Sequence, residues 1–226
     1  MSGYDILKAR GVTRLCHFTK FQSLTHIVSS ADGILAVNAI RHDSKNATDE
    51  SRADHAVDYV CCSVEYPNSW FLKDAIRRDT NLIFKEWVAL YINLEIVKVR
   101  VAQFCPCNAS KCGGLYINND MEKVGTIFAQ SVPTFPYQRS PQMLSCCPTD
   151  GQAEILIKGD IPRDYLSGVA VGDNGVAQRV YAMLKLYEIE GIPIYVAPDV
   201  LTTNWSRTIK TGRRPNETIC VWSEEK

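Results

Sequence analysis

The chain has no excess of charge of either sign: 25 lysines and arginines stand against 25 aspartates and glutamates over 226 residues. That excludes a polyelectrolyte that holds nucleic acid through its overall field, so such a partner would have to be met by a local patch. No apolar run approaches the length of a membrane span, and Met1-Ser2-Gly3-Tyr4-Asp5 has neither the basic nor the apolar region of an export signal. No membrane partner is expected, and the expected setting is cytoplasmic. Repeats and low-complexity tracts are missing too. Nine cysteines are present, yet none forms a paired C-x-x-C knuckle. Cys105, Cys107 and Cys112 are the one cluster to test as metal ligands; their spacing is not that of a zinc site and no histidine follows nearby. In a reducing compartment such thiols read as small apolar side chains, and no metal is expected. With 46% hydrophobic and 22% charged residues, the chain suits one globular domain, 1–226, large enough to bury a core.

What is there is a series of short strands, few helices and two long polar loops, which predicts an α+β domain around a mixed, split sheet. After a weakly patterned N-terminal segment, residues 12–18 read as a strand ending in His17-Phe18-Thr19. Thr19-Lys20-Phe21-Gln22 matches a capping box, predicting a helix capped by Thr19 with Leu24, Ile27 and Val28 as its apolar stripe and Asp32-Gly33 as its end. Residues 37–58 are long and polar, with Arg52 near their end, and residues 57–64 return to strand character. A helix is expected over 70–78, a buried strand over 87–97 and a further strand over 99–104. The second long loop, 131–150, is stiffened by Pro133, Pro136, Pro141 and Pro148, with Phe135, Tyr137, Arg139 and Met143 interleaved. A helical turn at 161–166 leads to a strand at 168–171. Asp173 or Asn174 then caps a helix with Val176, Val180, Met183, Leu184 and Tyr187 on one face, and strands follow at 192–196 and 218–222. Arg207, Lys210, Arg213 and Arg214 make a local basic run, in most chains a solvated face.

Chemistry concentrates at Pro148-Thr149-Asp150-Gly151, a turn that runs into the apolar strand 153–157. Alternation in an extended chain puts Gln152, Glu154 and Leu156 on one face, an amide beside an acid at the rim of a sheet. A lone glutamate there is more often an edge-strand residue facing water. His17 reads either as a satisfied core histidine or, with Thr19, as part of a strand-to-helix platform whose N–H groups bind an amide or phosphate. Arg52 is either a solvated loop arginine or a bidentate clamp for pyrophosphate or carboxylate. Aromatics beside Arg139 suit stacking on a planar group, or else pin their own loop.

Three separated stretches then resemble one family in order and spacing: His17-Phe18-Thr19, Arg52 ahead of Asp58-Tyr59-Val60, and Gln152-Ala153-Glu154-Ile155-Leu156-Ile157 after the long loop. They are similar to DarT, the DNA ADP-ribosyltransferase toxins of bacterial DarTG toxin–antitoxin systems; the Asn108-Ala109 loop and the helix–strand close at 173–196 fit as well. The resemblance implies an ADP-ribosyltransferase-like split mixed sheet with flanking helices, NAD as co-substrate, and a cognate antitoxin with ADP-ribosyl-hydrolase activity, a macrodomain or similar. It implies single-stranded DNA as acceptor, since a base inside a duplex cannot reach such a cleft. It implies that Glu154 is catalytic and that Arg52 contacts NAD and assists catalysis. His17, Phe18, Thr19, Leu24 and Tyr59 would bind NAD, with His17 and Thr19 at the nicotinamide end. The loop before Glu154 would recognise the target base, with Gln152, Arg139, Tyr137 and Met143 touching DNA alongside Phe135 and the basic run. Two departures bear on the target: Cys16 stands where many family sequences have Tyr, and Cys61-Cys62-Ser63-Val64 where many are rich in aromatics. The base stays open between guanine and thymine, the Pro-Thr-Asp-Gly lead-in leaning toward the guanine-modifying branch. Transfer to RNA or protein, or a non-catalytic nucleic-acid-binding module, are the alternatives.

Overall fold

A computed structural model describes residues 1–40, 54–80 and 85–222, so Arg52 lies outside the described residues. These form one sheet of eight strands: β1 (Arg14–Lys20), β2 (Tyr59–Val64), β3 (Trp87–Asn93), β4 (Ala102–Cys105), β5 (Glu154–Lys158), β6 (Leu166–Val171), β7 (Ile194–Val196) and β8 (Thr218–Ile219). Their order is β4-β5-β2-β1-β3-β6-β7-β8. All neighbours are antiparallel except β6 and β7, which makes the sheet mixed. The flanking helices are α1 (Gly3–Ala9), α2 (Phe21–Ser29), α3 (Ser69–Arg78), α4 (Ile96–Val99), α5 (Asn174–Leu186) and α6 (Trp205–Ile209).

Where local chemistry is complete, the element follows the pattern. Asp173 accepts from the Val176 N–H at 2.9 Å and starts α5, which buries Val176, Val180, Met183 and Leu184. Tyr187 does not join that face: it is the C-cap and is 38% exposed. Asn68 caps α3 in the same way, accepting from the Phe71 N–H at 3.1 Å. The N-terminal segment, weakly patterned in sequence, is the helix α1, held by a reciprocal capping box between Ser2 and Asp5.

Strand pairing overturns one expectation and a local turn another. The capping box at Thr19 does not form, because β1 stays paired with β3 from Arg14↔Asn93 to Lys20↔Trp87. Thr19 is therefore extended, and Lys20 occupies the N-cap of α2 with no side-chain cap bond. The buried strand expected over 87–97 stops at Asn93, whose side chain accepts from the Glu95 N–H at 3.0 Å and turns the chain into α4. Nor is β5 an edge strand. It lies between β4 and β2, with Ile155 and Ile157 wholly buried in the main core.

The C-terminal tail is locked onto β1. The Arg14 guanidinium lies 3.7 Å from the Tyr91 ring centroid and grips both carboxylate oxygens of Glu217, at 2.5 and 2.9 Å. Arg214 donates to Glu65 at 2.6 Å, and that wholly buried glutamate also accepts from the Thr13 N–H at 2.8 Å. One member of the basic run is thus a structural partner.

Candidate active site

The cleft opens where the sheet stops being continuous. β1 pairs with β2 only at Leu15↔Val64 and Cys16↔Ser63, while β1 continues along β3 to Lys20 and β2 continues along β5 to Tyr59. Past Cys16 the two strands part. The gap between them holds a cavity of about 480 Å³, within the range of roughly 300–1,000 Å³ usual for small-molecule sites. Residues of α2, 33–40 and the first turn of α3 line it together with Asn108 and Ser110.

His17, Phe18, Thr19, Tyr59 and Glu154 all reach this cavity. The His17 ring spans the split, its Nδ1 lying 3.0 Å from the Cys61 carbonyl oxygen. A carbonyl can only accept, so Nδ1 carries the proton in that bond. Thr19 is 5% exposed. Phe18 forms wall rather than floor, packed edge-on against Phe71 with ring centroids 5.8 Å apart and tilted against Trp87 at 6.0 Å.

Glu154 is far from the solvated edge residue that a lone strand glutamate suggests. It is 7% exposed, and the 108–109 loop donates to its carboxylate: the Ala109 N–H to Oε2 at 3.1 Å and the Asn108 amide to Oε1 at 3.4 Å. Asn108 is itself fixed by an Asx turn, accepting from the Ser110 N–H at 3.0 Å. Just upstream, Asp150 is 1% exposed, with Lys111 Nζ at 3.7 Å from its Oδ2, and burial pushes its carboxyl above the usual range.

Several expected ligand contacts fall elsewhere. Leu24 is wholly buried in the main core and does not line the cavity, because it sits on the inward face of α2. Gln152 also lies outside the cavity lining. Its N–H and that of Ala153 bond back to Asp150, at 2.9 and 3.0 Å, so a turn runs through 152 and strand alternation cannot be counted back from Glu154. Arg139 staples its own loop, donating to the Cys147 and Leu144 carbonyls at 2.6 and 2.7 Å. Met143 is a core residue at 8% exposure, whereas Tyr137 is 66% exposed and meets Phe135 edge-on. Arg207, Lys210 and Arg213 face solvent.

The structure adds polar groups at the cavity wall that sequence reasoning missed. Ser23 Oγ and Asn68 Nδ2 are buried without a hydrogen-bond partner among the described residues, and both residues line the cavity. A cleft bounded by orphaned polar atoms and a held carboxylate fits a polar ligand with hydroxyls and an amide. Among the described residues no group of three His, Cys, Asp or Glu side chains could hold a metal ion; the Cys105 and Cys107 sulfurs lie 3.7 Å apart. No helix of the described residues is long and apolar enough to cross a membrane.

A family model described as ssDNA thymidine ADP-ribosyltransferase, DarT, matches residues 16–203. Among solved structures the chain is similar to Thermus sp. 2.9 DarT in complex with ADP-ribosylated ssDNA, at 18% identity and a TM-score of 0.62 over 84% of this chain and 96% of that one. The same Thermus protein in complex with NAD+ gives 19% identity and a TM-score of 0.60 over 83% and 96%. Thermosipho africanus DarTG in complex with ADP-ribose gives 14% identity and 0.52, over 84% of this chain and 51% of that one. No curated protein matches the chain.

Proposed function

We propose, on the premise that this chain belongs to the DarT family of ssDNA ADP-ribosyltransferases, that it transfers ADP-ribose from NAD to a base of single-stranded DNA, with Glu154 as its catalytic carboxylate. The observation that carries the residue assignment is the burial of Glu154 at the head of the split, its carboxylate fixed by the Ala109 N–H and the Asn108 amide. NAD, when bound, supplies an ADP-ribosyl group whose bond to nicotinamide breaks with positive charge developing on the ribose. A carboxylate oriented before the reaction steadies such a charge and accepts from a neighbouring hydroxyl, as carboxylates do in glycoside hydrolysis. His17 and Thr19 hold the amide end of the co-substrate from the β1 side. Ser23, in the first turn of α2, offers its orphaned hydroxyl on the same side. Arg52 takes the pyrophosphate, for which a guanidinium is suited by its bidentate fork. Phe18 and Phe71 wall the cavity and limit water near the reacting centre.

The acceptor loop is 131–150, whose exposed Tyr137 is the side chain available for stacking. The matching family model names thymidine, and the lead-in at 148–151 leans toward guanine; both bases belong in the test. A cytoplasmic toxin of this kind requires an antitoxin partner, and an ADP-ribosyl hydrolase of the macrodomain kind fits the chemistry of the adduct.

Single-stranded oligonucleotides carrying each base are incubated with NAD and the chain, digested to nucleosides and read by mass spectrometry. One base should gain the mass of ADP-ribose, and Glu154→Ala should remove that signal while melting with wild-type cooperativity. Adduct on no oligonucleotide, or label carried by RNA or protein alone, overturns the proposal.

A further inference from the structure

We infer that Asn68 reads the acceptor base, its side-chain amide donating to a ring carbonyl oxygen. This rests on the transfer to single-stranded DNA proposed above and assigns a residue to the acceptor half of the same site.

Asn68 is 1% exposed and lines the cavity. Its two amide atoms have separate fates. Oδ1 caps α3 by accepting from the Phe71 N–H at 3.1 Å. That bond needs an oxygen, which fixes the orientation of the amide and leaves Nδ2 as a pure donor. Nδ2 is buried with no hydrogen-bond partner among the described residues. A buried donor left unpaired costs about 1–3 kcal/mol, so its retention calls for a partner that arrives with the ligand.

The location says which ligand. The Asn68 N–H donates to Ser63 Oγ at 2.9 Å, and Ser63 stands opposite Glu154 in the register of β2 and β5. Asn68, Ser63 and Glu154 therefore share one end of the cavity. Ser63 is also opposite Cys16, so this end is the head of the split, whereas Thr19, assigned to the co-substrate, lies three residues farther along β1 and Ser23 follows it on α2. The first turn of α3 joins the cavity to the acceptor loop: Asn68 and Phe71 face the cavity, while Trp70 packs on Gly151 of the segment before Glu154. An N–H₂ donor at that junction selects an acceptor edge. Thymine and guanine present ring carbonyls, and adenine has none.

The test separates the donor from the cap. Asn68→Ser and Asn68→Asp both keep an oxygen for the Phe71 N–H, so α3 retains its cap. Both remove the N–H₂ group. Transfer is measured with NAD and a single-stranded oligonucleotide containing the base that the wild-type chain modifies, alongside a second oligonucleotide with that base as its thiocarbonyl analogue, a poor acceptor. The expected result is a loss of about 10- to 100-fold in kcat/KM for DNA with both variants. For Asn68→Ser the KM for NAD and the melting temperature should hold near wild-type values, while Asn68→Asp, which buries a second carboxylate near Glu154, should also lower the melting temperature. The thiocarbonyl base should slow the wild-type chain and add little to the loss in Asn68→Ser, since both changes remove the same bond. Wild-type rates with the two variants overturn the inference, as does a rise in the KM for NAD that accounts for the loss. Full additivity of the variant and the thiocarbonyl base also overturns it. A wild-type chain that labels no DNA fails at an earlier step, overturning the transfer reading and this inference with it.

Discussion

Gly151 sits three residues before Glu154, and a Cβ built on it would come within 2.8 Å of ring atoms of both Trp70 and Trp205. Gly151→Ala therefore forces one of the two indoles to move. Trp205 is the worse candidate: it is 1% exposed, stacks on Tyr66 at 5.3 Å between centroids, and donates from Nε1 to Ser69 Oγ at 2.8 Å. Trp70, half-buried and edge-on to Trp205 at 5.6 Å, has somewhere to go, at the cost of its packing. Overpacking of this kind costs about 1–3 kcal/mol. For a chain of this length that lowers the melting temperature by roughly 2–12 °C. Because the same backbone leads directly into β5, the carboxylate should shift with it, and a misplacement near 1 Å can cost about 10²-fold in rate. The assay is a double-mutant cycle on Gly151→Ala and Trp70→Leu, read by thermal melting and by turnover. Trp70→Leu alone destabilises, but with the alanine present it relieves the clash, so the two changes should couple favourably by about 1 kcal/mol or more. Gly151→Ala melting and turning over as wild type would refute this reasoning. So would strict additivity of the pair.

Two further perturbations separate structural from ligand-binding roles. Arg139→Ala removes two charge-assisted bonds to loop carbonyls and should cost about 1.5–3 kcal/mol in thermal stability, discounted for the partial exposure of the guanidinium; the salt dependence of single-stranded DNA binding should not change, and a reduced salt slope would return Arg139 to the DNA contacts. Asp150 has its carboxyl raised by burial, opposed by the hydrogen bond from the Gln152 N–H and by Lys111. In the window between its unfolded and folded pKa values the folded chain keeps a proton that the unfolded chain has lost, so this group's contribution to stability falls as pH rises through that window. Asp150→Asn, which keeps an oxygen for the Gln152 N–H, should flatten that fall when melting is followed upward from about pH 4; an unchanged slope would show that the carboxyl titrates alike in both states.

The parts of this fold that were legible in the sequence are those settled within one turn or one strand. Asp173 followed three residues later by Val176 marks the start of α5 without help from the rest of the chain. The run Glu154-Ile155-Leu156-Ile157 likewise gives β5, which is buried on both faces between β2 and β4. Some misreadings come from a local pattern overruled by a distant partner, others from side-chain bonds within a turn or loop, as at Asn93 and Asp150. Thr19 has capping-box spacing but is held extended by Val88 across the sheet, 69 positions away in the chain. Glu154 has the appearance of a rim residue because the two strands that enclose it begin at Tyr59 and Ala102. One of its donors is the backbone N–H of Ala109, a group that every non-proline residue carries and no side-chain motif can flag. Arg139 was plausible as a nucleic-acid contact on residue type alone; only the carbonyls that meet its guanidinium make it a staple.

The position of the cleft follows from the register of four strands. Cys16 is opposite Ser63, Ser63 opposite Glu154, and Glu154 opposite Cys105, so one row of residues crosses β1, β2, β5 and β4. That row is the last in which β1 and β2 are joined. On one side of it the sheet is closed by Leu15↔Val64; on the other the strands part and the cavity begins. Glu154 thus sits at the vertex of the split, where a short strand held on both flanks gives its carboxylate little freedom, while the opening beside it admits a ligand. The register of β5 against both β2 and β4 sets which residue stands at the vertex: a one-residue slip would replace Glu154 there by Ile155. This also explains how a chain with no net charge can serve an anionic substrate. The groups that line the cavity are gathered around one vertex, so a site here needs no field from the whole molecule.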